Sequence, residues 1–87
     1  MYYVYLLENE EDRSWYTGFT HDLKRRVADH NAGLGGKTTS KNRKWNLIYY
    51  EAYANKQDAI GREVFLKSGS GKKLLKKQLV QYFGVEK

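Results

Sequence analysis

Residues 2–19 read YYVYLLENEEDRSWYTGF, and this stretch decides how the chain begins to fold. Its two ends, residues 2–7 and 14–19, are rich in aromatic and other residues that favour β-strands. The segment between them, residues 8–13, is short, polar and acidic. Two strand-forming runs separated in this way are typical of a β-hairpin, so we expect two adjacent antiparallel strands.

Two tyrosines of this hairpin are expected to lie close together. Alternation of side chains predicts that Tyr3, Tyr5 and Leu7 share one face of the first strand, and that Tyr16 and Gly18 share one face of the second. Cross-strand neighbours on one face can approach to about 5 Å. Gly18 would leave open space beside a phenol, or let another part of the chain approach closely.

The length of the chain, 87 residues, predicts a single domain over residues 1–87 with one modest core. The absence of cysteine excludes disulfides and thiolate metal sites, and two histidines fall short of a zinc site. The sequence contains neither an apolar run of the roughly 20 residues that a membrane helix needs nor a signal-peptide pattern. We therefore expect a cytoplasmic protein that does not bind membranes.

The net charge of +6 is unevenly distributed along the chain. Residues 1–32 hold four basic and six acidic residues, whereas residues 33–87 hold twelve basic and four acidic ones. This asymmetry indicates a polyanionic partner, and nucleic acid before a membrane, because the basic segments alternate with aromatic residues and polar loops. The alternative is charge that serves only solubility.

Residues 20–32 are predicted to form a helix, with Thr20 or Asp22 as its N-cap and Gly33 as its C-terminal stop. At about 100° per residue, Arg26 and His30 border the apolar stripe of this helix, whereas Arg25 points away from it. A residue at the edge of the stripe can reach across the sheet, so the periodicity selects Arg26 over Arg25.

Residues 33–44 are a loop rich in glycine, serine, threonine and lysine, with no periodicity. Its basic residues Lys37, Lys41 and Arg43 are candidates for contact with phosphate. The alternative, to which we give equal weight for each of these residues, is that they belong to an exposed linker.

Residues 45–53 alternate as a third strand, which would complete a small antiparallel sheet. Alternation predicts Leu47, Tyr49 and Tyr53 on one side. Ile48, Tyr50 and Ala52 are expected on the other.

A second helix is predicted to follow Asn55, a good N-cap, and to run toward Lys67. Helical periodicity places Glu63 inside the apolar arc of this helix. A buried carboxylate requires a cation, an arginine or hydrogen-bond donors. Metal binding, a salt bridge to a neighbouring lysine or arginine, and a half-exposed helix all remain open, and Arg26 is one possible partner.

Residues 68–71, Ser-Gly-Ser-Gly, are expected to break the helix, and a further helix restarts at Lys72. Leu75, Leu79 and Tyr82 have the spacing of residues that pack together. Lysines crowd the first two turns, so we expect this helix to form a basic cap on the domain.

The ordered set of these residues resembles the GIY-YIG nuclease superfamily over nearly the whole chain. The resemblance lies in Val4-Tyr5-Leu6, in Tyr16-Thr17-Gly18, in Arg26 with His30 four residues later, and in Glu63 followed by Lys67. It is closest to small stand-alone members that are similar to the nuclease domain of the bacterial excision-repair endonuclease. The fold that it implies is α+β, a three-stranded antiparallel sheet flanked by about three helices, in agreement with the strands and helices predicted above.

The resemblance also implies a site that cleaves a phosphodiester with one divalent metal ion, Mg²⁺ or Mn²⁺. Glu63 would bind the metal, Arg26 would stabilise the scissile phosphate, and Tyr5 and Tyr16 would surround the attacking water. His30 stands where the family has a histidine, a tyrosine or another polar residue. These roles suit the residue types, because a guanidinium makes bidentate contacts with phosphoryl oxygens and a carboxylate is a natural ligand of Mg²⁺.

A tyrosine base needs help, because a phenol with a reference pKa of about 10 is ionised in about one molecule in a thousand at pH 7. A histidine has a reference pKa of about 6.5 and could accept the proton. We therefore hypothesise a relay between Tyr16 and His30.

The sequence thus predicts a metal-dependent endonuclease acting on structured, damaged or single-stranded DNA, with DNA more expected than RNA and a possible place in repair or recombination. One alternative is a nucleic-acid-binding module that keeps the nuclease fold but cleaves weakly. Another is a protein-interaction domain in which the tyrosines and Glu63 belong to the core. The basic residues expected to contact nucleic acid are Lys24, Lys37, Lys41, Arg43, Lys67, Lys72 and Lys73.

Overall fold

The strand formed by Tyr2–Asn9 is the centre of the fold in this computed structural model, which describes residues 1–33 and 44–84. The elements in chain order are β1 (Tyr2–Asn9), β2 (Trp15–Thr20), α1 (Leu23–Asn31), β3 (Trp45–Tyr53), α2 (Lys56–Lys67), α3 (Gly69–Gln78) and α4 (Val80–Gly84). Both β2 and β3 pair antiparallel with β1, in the sheet order β2-β1-β3. The predicted α+β fold is confirmed, with four helices in place of about three.

Side chains of β1 alternate between two hydrophobic clusters, one on each face of the sheet. Val4 and Leu6 pack with residues of α2 and α3. Tyr5 and Leu7 pack on the opposite face, with Trp45 and with side chains of α1. The alternation predicted for the first strand is therefore correct, and β1 is buried on both faces because helices cover both.

The first helix is fixed at both ends by short polar side chains. Asp22 is its N-cap and accepts a hydrogen bond from the backbone N–H of Arg25. Gly33, with a φ of 81°, follows the last turn, as the sequence predicts. The side-chain amide of Asn31 hydrogen-bonds both the carbonyl and the N–H of Trp45, so the end of α1 is tied to the start of β3.

The predicted alternation of β3 is wrong at Leu47 and Ile48. The register pairs Leu6 with Tyr49 but Leu7 with Leu47, so Ile48 is an extra residue in a β-bulge. The bulge turns Leu47 to the face of Tyr50, and Ile48 packs against the opposite cluster together with Tyr49.

The predicted break over residues 68–71 is a single residue, Ser68. Its backbone N–H bonds the carbonyl of Phe65 at the end of α2, and its hydroxyl accepts from the N–H of Gly71 in the first turn of α3. One side chain therefore ends one helix and begins the next, so α3 starts at Gly69 and not at Lys72.

The expected packing of the last helix is only partly observed. Leu75 is fully buried, but α3 ends at Gln78. Tyr82 lies in the separate helix α4 and is 38% exposed. Among residues 1–33 and 44–84, we find no helix with the length and apolar character needed to cross a bilayer.

Candidate active site

The side chain of Tyr5 is the centre of the candidate site. It is 1% exposed and lies opposite Gly18 of β2 in the sheet. A Cβ atom at position 18 would come within 3.0 Å of three atoms of the Tyr5 phenol. The space that Gly18 leaves is thus filled by the ring of Tyr5, and only glycine permits this approach.

The hydroxyl of Tyr5 is held by two residues of α1. It lies 2.8 Å from Nε2 of His30, which is fully buried, and it accepts a hydrogen bond from the guanidinium of Arg26. Arg26 is half-buried whereas Arg25 is exposed, so the arginine selected by periodicity is the one that reaches the sheet.

The pKa values of these groups are shifted by burial. Burial raises the pKa of Tyr5 to about 12, the hydrogen bond from Arg26 opposes this rise, and the charges of Tyr16 and Glu63 add to it. Burial, together with the positive charge of Arg26, lowers the pKa of His30 to about 4. At neutral pH the phenol of Tyr5 is therefore protonated and His30 is uncharged, so the permanent positive charge beside them is that of Arg26.

Tyr16 lies beside this pair and is less buried than Tyr5. Its ring centroid is 4.7 Å from that of His30 and 6.4 Å from that of Tyr5. The four side chains Tyr5, Tyr16, Arg26 and His30 thus form one cluster. Within it the hydrogen bond of His30 Nε2 is made with Tyr5, and Tyr16 contacts the imidazole ring from the side.

Glu63 approaches the cluster from α2. Its side chain is 19% exposed, and a carboxylate oxygen lies 3.0 Å from Nζ of Lys67 one turn later. Of the alternatives left open by the sequence, the observed one is a half-buried carboxylate in an ion pair with a neighbouring lysine. Its charge still contributes to raising the pKa of Tyr5, so it belongs to the same electrostatic environment.

Glu63 fits a hydrated Mg²⁺ or Mn²⁺ better than a metal enclosed by protein ligands. Within residues 1–33 and 44–84, no group of three or more His, Cys, Asp or Glu side chains could hold a metal ion. Mg²⁺ usually keeps several waters and takes one or two carboxylates from the protein. A single half-buried carboxylate meets this requirement.

The basic residues predicted to contact nucleic acid are not gathered in one place. Lys24 lies on α1, on one side of the sheet, whereas Lys72 and Lys73 lie on α3 on the other. Lys67 pairs with Glu63. The remaining three, Lys37, Lys41 and Arg43, lie outside the described residues.

A network that the sequence reasoning missed fixes the helix that carries Glu63. The carboxylate of Glu51 on β3 accepts hydrogen bonds from Nε and a terminal nitrogen of Arg62, at 2.9 and 3.0 Å. It also accepts from the hydroxyls of Tyr49 and Tyr53. Arg62 precedes Glu63, so this fork limits rotation of α2 against the sheet. The sequence feature that could have indicated this network is a carboxylate, Glu51, in the middle of a strand rich in aromatic residues.

The sequence of this chain is similar to those of known proteins. A family model described as the GIY-YIG catalytic domain matches residues 1–78. The UPF0213 protein in the ldhD 5′ region of Pediococcus acidilactici is 48% identical over 67 residues, which cover 75% of this chain and 68% of that protein. A UPF0213 protein of Streptococcus pyogenes is 45% identical over 65 residues, covering 75% of this chain and 70% of that protein.

One solved structure of a UPF0213 protein is also similar to this chain. The solution NMR structure of a UPF0213 protein from Bacillus halodurans is similar to this chain with a TM-score of 0.56 and 37% sequence identity. The match covers 90% of this chain and 85% of that one.

Proposed function

This chain belongs to the GIY-YIG family of nuclease domains, as its resemblance in sequence predicts, and from that membership we propose that it is a metal-dependent endonuclease that hydrolyses phosphodiester bonds in DNA. The observation that carries the proposal is the convergence on Tyr5. Its hydroxyl contacts Arg26 and His30, its ring centroid lies 6.4 Å from that of Tyr16, and the charge of Glu63 contributes to raising its pKa. Four residues from three elements, β2, α1 and α2, thus surround one buried phenol.

Arg26 is proposed to stabilise the phosphate. Hydrolysis adds a water oxygen to phosphorus and breaks a phosphorus–oxygen ester bond, and negative charge accumulates on the phosphoryl oxygens in between. His30 is uncharged at neutral pH, so it does not share this role. The guanidinium of Arg26 supplies a fixed positive charge with several donors.

The two tyrosines are proposed to have different tasks. Tyr5 is buried, protonated and hydrogen-bonded, which suits a positioning residue that orients Arg26 and His30. Tyr16 is the more accessible phenol and contacts the ring of His30, which suits a group that accepts the proton of the attacking water. In the proposed relay Tyr16 gives its own proton to His30 as it takes one from the water, which requires the hydroxyl of Tyr5 to release Nε2, the nitrogen that it contacts in this structure.

Glu63 is proposed to hold the metal. A bound Mg²⁺ or Mn²⁺ supplies Lewis-acid stabilisation of charge on a phosphoryl oxygen. Glu63 would hold the cation through its carboxylate, one oxygen of which lies 3.0 Å from Nζ of Lys67, and the exposed ammonium of Lys67 would be near enough to contact a phosphate bound there.

A second candidate is a nucleic-acid-binding module that cleaves weakly. The ion pair between Glu63 and Lys67 favours it, because the lysine competes with a metal for the same carboxylate. Loss of metal-stimulated cleavage without loss of binding separates the two candidates.

The test is a cleavage panel of duplex, single-stranded, flap and branched DNA, with the corresponding RNAs, in Mg²⁺ or Mn²⁺. We expect Arg26→Ala to reduce cleavage by about a hundred-fold or more, whereas Arg25→Ala, the matched change at the neighbouring exposed arginine, should reduce it by no more than about five-fold, the effect of one exposed charge. Glu63→Gln is expected to abolish cleavage and to retain binding. No cleavage of any substrate by the natural protein, with binding intact, would favour the binding module.

A further inference from the structure

A cavity lies on the α1 face of the sheet, toward β3. It measures about 560 Å³ and has walls formed by Tyr3, Val27, Leu47 and Tyr50. The rings of Tyr3 and Tyr50 meet edge to face, with centroids 6.0 Å apart, and Tyr50 is 53% exposed. We call this cavity the tyrosine cleft.

The tyrosine cleft has a polar rim formed by His21, Asp22 and Lys24. One carboxylate oxygen of Asp22 is committed to capping α1, where it accepts from the N–H of Arg25. The exposed ammonium of Lys24 is a donor at the mouth of the cleft. Aromatic walls with a cation at the rim suit a flat, partly apolar ring that carries a negatively charged group.

The cleft adjoins the candidate active site. A smaller cavity of about 180 Å³ is lined by Arg25, Arg26 and Asp29, the last of which pairs with Arg26, and it shares His21 and Asp22 with the tyrosine cleft. The two cavities therefore follow one another around the start of α1. A strand with its phosphate at Arg26 can extend over the turn at residues 21–22 and reach Tyr50.

The β-bulge in β3 helps to build the cleft. Without the extra residue Ile48, alternation would direct Leu47 to the other face of the sheet, away from Tyr50. With it, Leu47 and Tyr50 line the same cavity, and both remain exposed, at 38% and 53%. Leu47 and Tyr50 thereby form one exposed wall of the cleft.

We propose that the tyrosine cleft binds an unpaired nucleobase of the DNA strand whose scissile phosphate lies at Arg26, with the base against Tyr50 and the neighbouring phosphate at Lys24. This rests on the proposed function, and it names the substrate class as DNA with an unpaired base beside the cut. A base within a duplex is stacked on both sides and cannot enter such a cavity. The cleft is therefore a selectivity site for single-stranded, flapped or distorted DNA.

The test is binding of a fluorescent oligothymidylate and of a blunt duplex in EDTA, where a metal-dependent enzyme leaves both probes intact. Tyr50→Ala is expected to weaken binding of the oligothymidylate by about five- to a hundred-fold, the usual effect of removing one stacking aromatic, and to change duplex binding by less than about two-fold. Tyr50→Phe keeps the ring and is expected to bind like the natural protein. Phe65→Ala removes an exposed ring from the other side of the sheet and serves as the matched control.

Lys24→Ala gives an independent readout. Loss of one phosphate contact reduces the salt dependence of single-strand binding by about 0.7 in the slope of log K against log salt. Unchanged oligothymidylate binding by Tyr50→Ala, equal weakening of both probes, or a Tyr50→Phe variant as weak as Tyr50→Ala would each overturn the inference.

The two proposals fail in different ways. If the natural protein cleaves DNA while Tyr50→Ala binds and cleaves single-stranded and flap substrates normally, the proposed cleft is wrong and the nuclease stands. If the natural protein binds neither probe and cleaves no substrate, both proposals are wrong. Thermal unfolding of each variant shows whether a loss of binding comes from loss of the fold.

Discussion

The hydroxyl of Tyr5 and Nε2 of His30 lie 2.8 Å apart, and both side chains are almost completely removed from solvent. The contact joins the central strand to the helix that carries Arg26. Because an uncharged imidazole can accept through Nε2, the phenol O–H can donate to it while Arg26 donates to the phenol oxygen. The pair is therefore a structural link as well as part of the candidate site.

The stability of the protein should depend on pH through His30. The unfolded chain protonates this residue below pH about 6.5, the ordinary histidine value, whereas the folded protein holds its pKa at about 4. Between these values the unfolded state binds more protons, so stability falls as pH falls from 6.5 to 4, by about 3 kcal/mol in full.

Urea unfolding at a series of pH values measures this effect. In the His30→Gln variant the loss between pH 6.5 and 4.5 should largely disappear, because the buried imidazole is replaced by a side chain that does not titrate, and the remaining histidine, His21, is exposed. Further losses at lower pH belong to carboxylates such as Glu51, whose pKa the Arg62 and tyrosine hydrogen bonds hold below its ordinary value. Identical pH profiles for both proteins would contradict the prediction.

Gly18→Ala should damage the site without removing any chemical group from it. The new methyl would overlap the phenol of Tyr5, which is buried and has little room to move. We expect a loss of about 1–3 kcal/mol in the free energy of unfolding and a fall in cleavage, since the hydroxyl must leave His30. A double-mutant cycle with Tyr5→Leu measures the coupling, and additive effects of the two changes would show that the overlap is relieved elsewhere.

Gly71→Ala and Gly69→Ala should differ although both lie in the first turn of α3. A Cβ at position 71 would come within 3.0 Å of the backbone of Phe65 and Leu66, whereas one at position 69 would meet no atom of the described residues within 4 Å. We expect Gly71→Ala to destabilise the protein by about 1–3 kcal/mol or more. Gly69→Ala should be neutral or stabilising by up to about 1 kcal/mol. Chemical denaturation compares them directly.

Arg62→Ala should weaken both the fold and cleavage. It leaves the Glu51 carboxylate without its two guanidinium donors, which we expect to cost about 1–3 kcal/mol, since the pair is only partly buried. It also frees α2 to rotate, so cleavage should fall more than binding. Arg62→Lys keeps the positive charge but not the two paired donors. Its stability and its cleavage should therefore lie between those of the natural protein and those of Arg62→Ala. An Arg62→Ala protein with full stability and activity would show that other contacts hold α2.

The sequence predicts the parts of the fold that depend on local patterns. The strand faces of β1, the cap Asn55 and the choice of Arg26 over Arg25 follow from periodicity and capping chemistry, and Asp22 is one of the two caps predicted for the first helix. Each of these features depends on residues that are close together in the sequence. The family resemblance then joins them in the correct order along the chain.

The features that sequence patterns miss depend on contacts between distant segments. The bulge at Ile48 is visible only in the pairing of β1 with β3, and the alternation of β3 alone predicts a regular strand. Ser68 serves two helices, so a glycine-rich sequence that resembles a linker begins a helix. The relay hypothesised from the sequence joins His30 to Tyr16, whereas the observed hydrogen bond joins it to Tyr5, because Gly18 admits the Tyr5 ring.

The bulge in β3 has a consequence for assembly. In the described part of the chain β3 is an edge strand, and nine residues are long enough to template pairing with a strand of another molecule. An extra residue in such an edge increases its twist and interrupts the regular row of N–H and C=O groups. The irregularity that turns Leu47 toward Tyr50 therefore also makes the sheet a poor nucleus for edge-to-edge aggregation.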